Sequence, residues 1–362
     1  MKIGVLGSGQ LGRMLALSAY PLGHQMSFLA SSEEDPSSLL GNTFIQNGSQ
    51  EIIEEFAKNS DVVTYESENT AVSIVKEISQ KTMVYPSAKS LYTSQHRGRE
   101  KSLFDKLNIP CAPYQMVNNL SELKIAVENI GLPAILKTAT DGYDGKGQFL
   151  IQSDSQLDQA WKSMSGVESI LEGFINFKRE LSLVAVRGVD NSHEYYPLVE
   201  NSHHNGILRL TIAPAQNISP KLQQQAESYM RSLLDEMNHV GVLTIELFET
   251  DNNLVVNEMA PRVHNSGHWT IEGARTSQFE NHIRAITETP LGNTSCTHEY
   301  SAMINIIGEQ GPVDKALTLK NAHLHLYNKT EREGRKLGHI TITANTVGDL
   351  NTSLETLSDF MP

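Results

Sequence analysis

Along the first ninety residues, short apolar runs alternate with amphipathic stretches of helical period. Residues 3–6, 25–29, 61–64 and 84–85 read as buried strands, and 10–20, 52–58 and 71–80 as the helices between them. That rhythm predicts a parallel sheet with right-handed crossovers, and ligands at the carboxyl ends of its strands. Pro86 closes the unit, and a helix over 94–107 and a linker over 108–113 follow. From about 115 to 175 the pattern gives a smaller unit: helix 121–130, strand 134–137, a glycine loop, strand 148–151, helix 155–164 and strand 169–172. Residues 178–260 are mostly β in pattern, with one long helix over 220–238. Beyond 290 come short strands (303–307, 322–326, 339–343) and a final helix over 346–358.

Composition narrows the functional classes. A chain of 362 residues has room for two or three domains, and its 39% hydrophobic and 20% charged content is that of a globular protein. A formal net charge of -13 argues against a generic nucleic-acid or anionic-membrane surface. Any phosphate site must be local, built from a few basic residues. Cys111 and Cys296 are far apart, so neither a disulfide framework nor a thiolate metal site is expected, and both read as small buried residues. No apolar run approaches the ~20 residues needed to span a bilayer, and Met1-Lys2 leads straight into a strand. The expectation is a cytoplasmic protein.

Three stretches carry chemistry. Gly7, Gly9 and Gly12 spell G-x-G-x-x-G between a strand and a helix, a turn whose bare N–H groups suit a phosphate. A second glycine loop, Asp141-Gly-Tyr-Asp-Gly-Lys-Gly147, joins two strands and can fold over a polyphosphate, with Lys137 in reach of it. A solvated hairpin turn would look the same. The third stretch turns at Asp251-Asn-Asn253. Glu246 lies six residues before Asn252 and Glu258 six after, so symmetric pairing sets the two carboxylates opposite each other. Like charges so placed need a bridging cation, or a proton on one of them, and oxygen ligands favour Mg²⁺. The hairpin continues into Arg262-Val-His-Asn-Ser-Gly-His268. Arg262 offers a bidentate fork, Asn265 a neutral donor and His264 a donor or proton relay for a small oxyanion; His268 can be structural.

Lys137, the loop 142–147, "ILEGFI" (170–175) and the Glu246/Asn257-Glu258 hairpin together resemble the ATP-grasp superfamily. Within it, "GSGQLGRM", "GYDGKGQ", "APRVHNSGHWT" and "GRKLGHI" are similar to the 5-(carboxyamino)imidazole ribonucleotide synthase family, over residues 1 to about 350. The resemblance implies an α/β and α+β architecture: an N-terminal Rossmann-like domain (1–95), an ATP-grasp domain (96–290) with a small mobile lid at about 115–175, and a small β-rich C-terminal domain (291–362). It implies a homodimer that condenses aminoimidazole ribonucleotide with bicarbonate, using ATP and Mg²⁺, through carboxyphosphate.

The same resemblance assigns residues. ATP falls to Arg97, Lys137, Gly142, Tyr143, Asp144, Gly145, Lys146, Gly147, Gln148, Glu172, Gly173, Phe174, Ile175, Glu180, His203, Asn257 and Glu258. Of these, Glu172 to Ile175 would face adenine and Glu180 the ribose hydroxyls. Mg²⁺ falls to Glu246 and Glu258, and bicarbonate to Arg262, His264 and Asn265, with Lys336 completing the catalytic set. The ribonucleotide falls to Gly9, Gln10, Leu11, one of Glu66 and Glu68, Tyr143, Lys146 and Lys336. The family often has arginine where Lys146 stands, which weakens a bidentate contact there. Other ligases of the superfamily share the ATP parts. An NAD-dependent oxidoreductase would use the opening glycines with Glu33 as its ribose acid, leaving the paired glutamates and second glycine loop idle. A non-catalytic nucleotide-binding regulator would need neither those glutamates nor the oxyanion cluster.

Overall fold

The computed structural model describes residues 1–142, 145–251 and 253–361. Five parallel strands form the first sheet, in the spatial order Asn42–Ile45, Gln25–Ala30, Lys2–Leu6, Val62–Tyr65, Met83–Val84. Ile3, Val5, Phe28 and Val63 are fully buried in it, as strands covered on both faces require. Its edge strand Asn42–Ile45 departs from the sequence reading, because the half-buried stretch NTFI has neither an apolar run nor strict alternation.

A small antiparallel sheet follows, in the order Tyr114–Val117, Ser169–Gly173, Ala134–Thr138, Gln148–Ile151. Helices Leu120–Ile130 and Leu157–Ser163 cover it through Leu123, Ala126, Leu157 and Ala160. Strand Tyr114–Val117 was not expected, and the segment before it, 108–113, was expected as linker. That segment is instead a strap: Pro110 O accepts from Val256 N (2.8 Å) and Pro113 O from Gly173 N (2.8 Å), joining two sheets. Prolines cannot donate, but their carbonyls still can accept.

The third sheet is antiparallel with nine strands, running Leu254–Ala260, Gly241–Glu249, Arg179–Arg187, Val199–His204, Ile207–Ala213, Tyr300–Ile307, Lys336–Ala344, Ala322–Leu326, with His193–Tyr195 also on Arg179–Arg187. Tyr300–Ile307 pairs with Ile207–Ala213, so the C-terminal strands continue the sheet of the middle segment.

Two helical details position the site. The helix expected over 94–107 runs from Arg97 to Lys106, and a separate, unexpected helix, Ala88–Ser94, precedes it. His96 caps helix Arg97–Lys106, its Nδ1 accepting from Gly98 N (3.1 Å) and Arg99 N (3.4 Å), which sets Arg97 at a helix start. Helix Gln278–Ile286, unexpected from sequence, packs the first sheet onto the third. Its buried His282 accepts from Val242 N (3.0 Å) on Nδ1, so Nε2 carries the proton and donates to Thr64 Oγ1 (2.8 Å). No helix among the described residues is long and apolar enough to cross a membrane.

Candidate active site

The three sheets meet around one cleft whose empty space, mouth included, is about 1670 Å³. Gln10, Leu11 and Glu68 reach it from the parallel sheet, Lys137 and Gln148 from the small sheet, and Glu180, His203, Glu246, Asn257 and Glu258 from the large one. Arg97, Gly142, Gly145, Lys146, Arg262, His264, Asn265 and Lys336 complete the sequence-predicted residues on its wall. Tyr143 and Asp144 lie outside the described residues.

The acidic pair depends on one inserted residue. Near the hairpin turn Glu249 opposes Leu254, Phe248 opposes Val255 and Leu247 opposes Val256. Continued unbroken, that register would set Glu246 against Asn257 and turn Glu258 to the far face. A bulge steps the ladder at Asn257, and Glu246 lies opposite Glu258. The Asn257 carbonyl accepts from buried Lys101 Nζ at 2.7 Å, which anchors the bulge.

Charge then distinguishes the two carboxyls. Burial first, and the facing Glu258 second, push Glu246 up to about 7. Burial acts on Glu258 too, but Arg97, 2.9 Å from its Oε2, and then Lys137 outweigh it and hold it below the ordinary carboxylate range. Without a cation, Glu246 therefore titrates near neutral pH while Glu258 stays ionised. Among the described residues no group of three or more His, Cys, Asp or Glu can hold a metal alone. A cation on Glu246 and Glu258 therefore needs further oxygens, such as those of a phosphate, and that donor set fits Mg²⁺.

Lys137 is nearly buried and pairs with Glu172 at 2.9 Å; Lys101 stands 3.6 Å from the same oxygen. Burial raises Glu172, but Lys137 and Lys101 bring it down to about 2. Glu172 is committed to the two lysines, and the amides of Gly173 and Phe174 donate to Pro113 O (2.8 Å) and Pro133 O (3.1 Å). Glu172, Gly173, Phe174 and Ile175 do not line the cleft; its apolar surface comes from Ile135, Phe177 and Phe248, the two rings stacked at 4.6 Å. Gly147 also stands off the wall. Glu180 Oε2 lies 2.8 Å from His203 Nδ1, and against the lowering effect of burial this contact raises the imidazole's pKa.

The Arg262–His268 stretch is held from three sides. Arg262 Nε donates to Glu68 and Nη1 to Val263 O (3.0 Å). Burial raises Glu68, but Arg262 brings it down to about 2, so this carboxylate is ionised. His264 is pushed down to about 3 by burial and then by Arg262 and Lys336. Its Nδ1 accepts from the Ser266 amide (3.3 Å), so its proton sits on Nε2, 3.5 Å from Glu246 Oε1. Neutral His264 is thus a donor on the cleft side. Gln278 clasps the His264 backbone, accepting from its N (2.9 Å) and donating to its O (2.6 Å). His268 lies buried against the rings of Phe279 and His339.

The opening glycine turn holds a side chain of the protein itself. Glu66 Oε1 accepts from Gly9 N, and Oε2 from Gly12 N at 2.7 Å. The amides expected to meet a phosphate already hold a carboxylate, and Gly9 and Glu66 do not line the cleft, whereas Gln10, Leu11 and Glu68 do. Glu33 is exposed in a turn, which gives the dinucleotide alternative no ribose acid at the site. The sequence reading also missed Lys329, whose Nζ donates to Gln10 Oε1 and which burial lowers to about 8. The basic run Arg332, Arg335, Lys336 was the available signal.

Comparison with known proteins agrees with this geometry. Residues 1–95 match a ribonucleotide synthetase preATP-grasp domain, 102–279 an ATP-grasp domain, and 301–353 a phosphoribosylaminoimidazole carboxylase C-terminal domain. An N5-carboxyaminoimidazole ribonucleotide synthase of Pseudomonas aeruginosa is 46% identical, over 94% of each chain. The crystal structure of N5-carboxyaminoimidazole ribonucleotide synthetase from Thermus thermophilus superimposes with a TM-score of 0.95 at 44% identity, covering 99% of this chain and 98% of that one. The Aspergillus clavatus synthase, in complex with ADP and 5-aminoimidazole ribonucleotide, superimposes at 0.92 with 34% identity, over 99% and 98%. The mixed fold around one acidic and basic cleft is the ATP-grasp fold, and the chain belongs to the N5-carboxyaminoimidazole ribonucleotide synthase family.

Proposed function

We propose that this cleft takes its carboxyl group from bicarbonate, with Mg²⁺ on Glu246 and Glu258. As a member of its family the chain is an ATP-dependent ligase that converts 5-aminoimidazole ribonucleotide to the N5-carboxy product. A bicarbonate oxygen attacks the γ-phosphorus of ATP, the bond to the bridging oxygen breaks, and ADP and carboxyphosphate result. The exocyclic amine then attacks the carboxyl carbon, the carbon–oxygen bond to phosphorus's oxygen breaks, phosphate leaves and the amine gives up a proton. Bound Mg²⁺ would neutralise charge on the phosphate oxygens.

The chain's own residues supply the rest. Arg97, Lys137, Asn257 and the loop 142–148 hold the phosphates, Glu180 and His203 the ribose, and Ile135, Phe177 and Phe248 receive adenine. Arg262, the His264 Nε2–H and Asn265 converge as donors on bicarbonate and carboxyphosphate. Lys336, with Lys329, meets the ribonucleotide's phosphate in place of the Gly9 amide; Glu68, Gln10, Leu11 and Lys146 line its other sides. The glycine loop closes over the reacting groups and keeps water from carboxyphosphate. A homodimeric solution state is part of the reading, and a monomeric mass by light scattering would remove it.

The observation that carries the reading is the facing Glu246/Glu258 pair beside Arg262, His264 and Asn265 in one cleft. The test is ADP release with each co-substrate withheld in turn. Full rate is expected only with ribonucleotide, bicarbonate and Mg²⁺ together. Unchanged product formation in a degassed, bicarbonate-free assay would refute it.

A further inference from the structure

Asn265 lies in the short turn Asn265–Gly267 on the cleft wall, and its amide is paired with a second amide outside the cleft. Asn265 Nδ2 donates to Asn305 Oδ1 at 3.0 Å, and Asn305 Nδ2 donates back to Asn265 Oδ1 at 2.7 Å. Asn305 is fully buried in strand Tyr300–Ile307, and its Nδ2 also donates to Leu208 O at 2.9 Å. A backbone carbonyl can only accept. It therefore fixes which end of Asn305 is nitrogen, and Asn305 in turn fixes Asn265: a reversed Asn265 amide would set two NH₂ groups against each other. Both hydrogens of Asn305 are used, the Asn265 oxygen is turned to Asn305, and one Asn265 hydrogen is used. The second Asn265 N–H has no partner among the described residues.

We propose that Asn305 is a positioning residue for the carboxyl-donor subsite, holding the Asn265 amide so that it presents a donor, never its oxygen, to the anion. The inference rests on the assignment of bicarbonate to Arg262, His264 and Asn265. It also gives the C-terminal segment a task in the reaction: through Asn305 it dictates the polarity of a group in the cleft.

The test is a double-mutant cycle on the full-length enzyme, with Asn265→Ala, Asn305→Leu and their combination, read by KM for bicarbonate, KM for ATP, kcat and thermal midpoint. Asn305→Ala serves as a second variant that removes both the acceptor and the donors without adding charge, should the leucine not fold. Asn265→Ala and either Asn305 variant are expected to raise KM for bicarbonate about tenfold, the scale of one lost hydrogen bond to an anion, with KM for ATP within about twofold. The double variant should be no worse than Asn265→Ala alone, because Asn305 acts through Asn265. A merely structural Asn305 would lower the midpoint and leave KM for bicarbonate unmoved; that result, or additive effects in the cycle, overturns the proposal. An unchanged KM in Asn265→Ala would instead overturn the bicarbonate assignment beneath it.

Discussion

Two glycine turns in this chain look alike in sequence and are put to opposite uses. Gly7–Gly12 follows a strand and opens a helix, and its amides at Gly9 and Gly12 are filled by the protein's own Glu66. The loop after strand Ala134–Thr138 carries Gly142 and Gly145 on the wall of an open cleft. At Gly145 φ is +74°, and a Cβ would stand 2.9 Å from the Gly206 Cα, so the loop lies directly on the turn between two strands of the large sheet. Both places need glycine because something comes close to the backbone. In one it is a side chain 57 residues away in sequence, in the other a neighbouring turn that leaves room for a ligand. A glycine pattern reports a close approach, and only the fold says whether a ligand makes it.

The sharpest contrast is between the carboxylates beside the two turns. Glu246→Gln should lower turnover by about a hundredfold or more, since it would remove a ligand of the proposed Mg²⁺. Its metal-free thermal midpoint should hold or rise, because a facing like charge is relieved. Near-normal activity in this variant would place the cation elsewhere. Gly145→Val comes next: the side chain would meet Gly206, and the expected result is a KM for ATP raised about tenfold with a folded enzyme. An unchanged KM would mean that the loop does not touch the nucleotide.

Much of this contrast could be read before the fold was known, and some could not. The α/β rhythm of the first ninety residues and the Glu246/Glu258 pairing follow from local apolar runs and a turn. The bulge at Asn257 does not, since the symmetric count around Asn252 reaches the same pairing by assuming a regular ladder. Glu66 reads as a substrate ligand in sequence because its partners, Gly9 and Gly12, lie on another strand's loop. Phe177, Phe248 and Ile135 read as ordinary strand residues, and only the closing of two sheets brings them to one wall. The continuity of the large sheet into Tyr300–Ile307, where Leu210 pairs with Ile304 and Ala213 with Ser301, is a long-range pairing that no local period records.

Smaller effects separate the turns further. Glu66→Ala strips the acceptor from two amides at a helix start, and a loss of about 1–3 kcal/mol in stability is expected, with KM for ATP unchanged. Should KM for ATP rise instead, the opening turn serves the nucleotide. The smallest effect is in pH. Glu246 sits at about 7 in the folded protein against an ordinary 4.5, so the folded state binds its proton more tightly. Its contribution is fully present below about 4.5 and is lost as pH rises through about 7. Metal-free Glu246→Gln should therefore gain midpoint relative to the parent across that window, and calorimetry near pH 6 should show proton release on Mg²⁺ binding to the parent. A constant difference would remove the raised carboxyl.

The central claim is that the cleft activates bicarbonate by phosphorylation before the amine captures it. Bicarbonate labelled with ¹⁸O tests this directly, with the inorganic phosphate of a single turnover analysed by mass spectrometry. One labelled oxygen is expected in each phosphate, carried over when the carbon–oxygen bond of carboxyphosphate breaks. Phosphate without label, with ADP and carboxylated ribonucleotide still formed, would contradict the account.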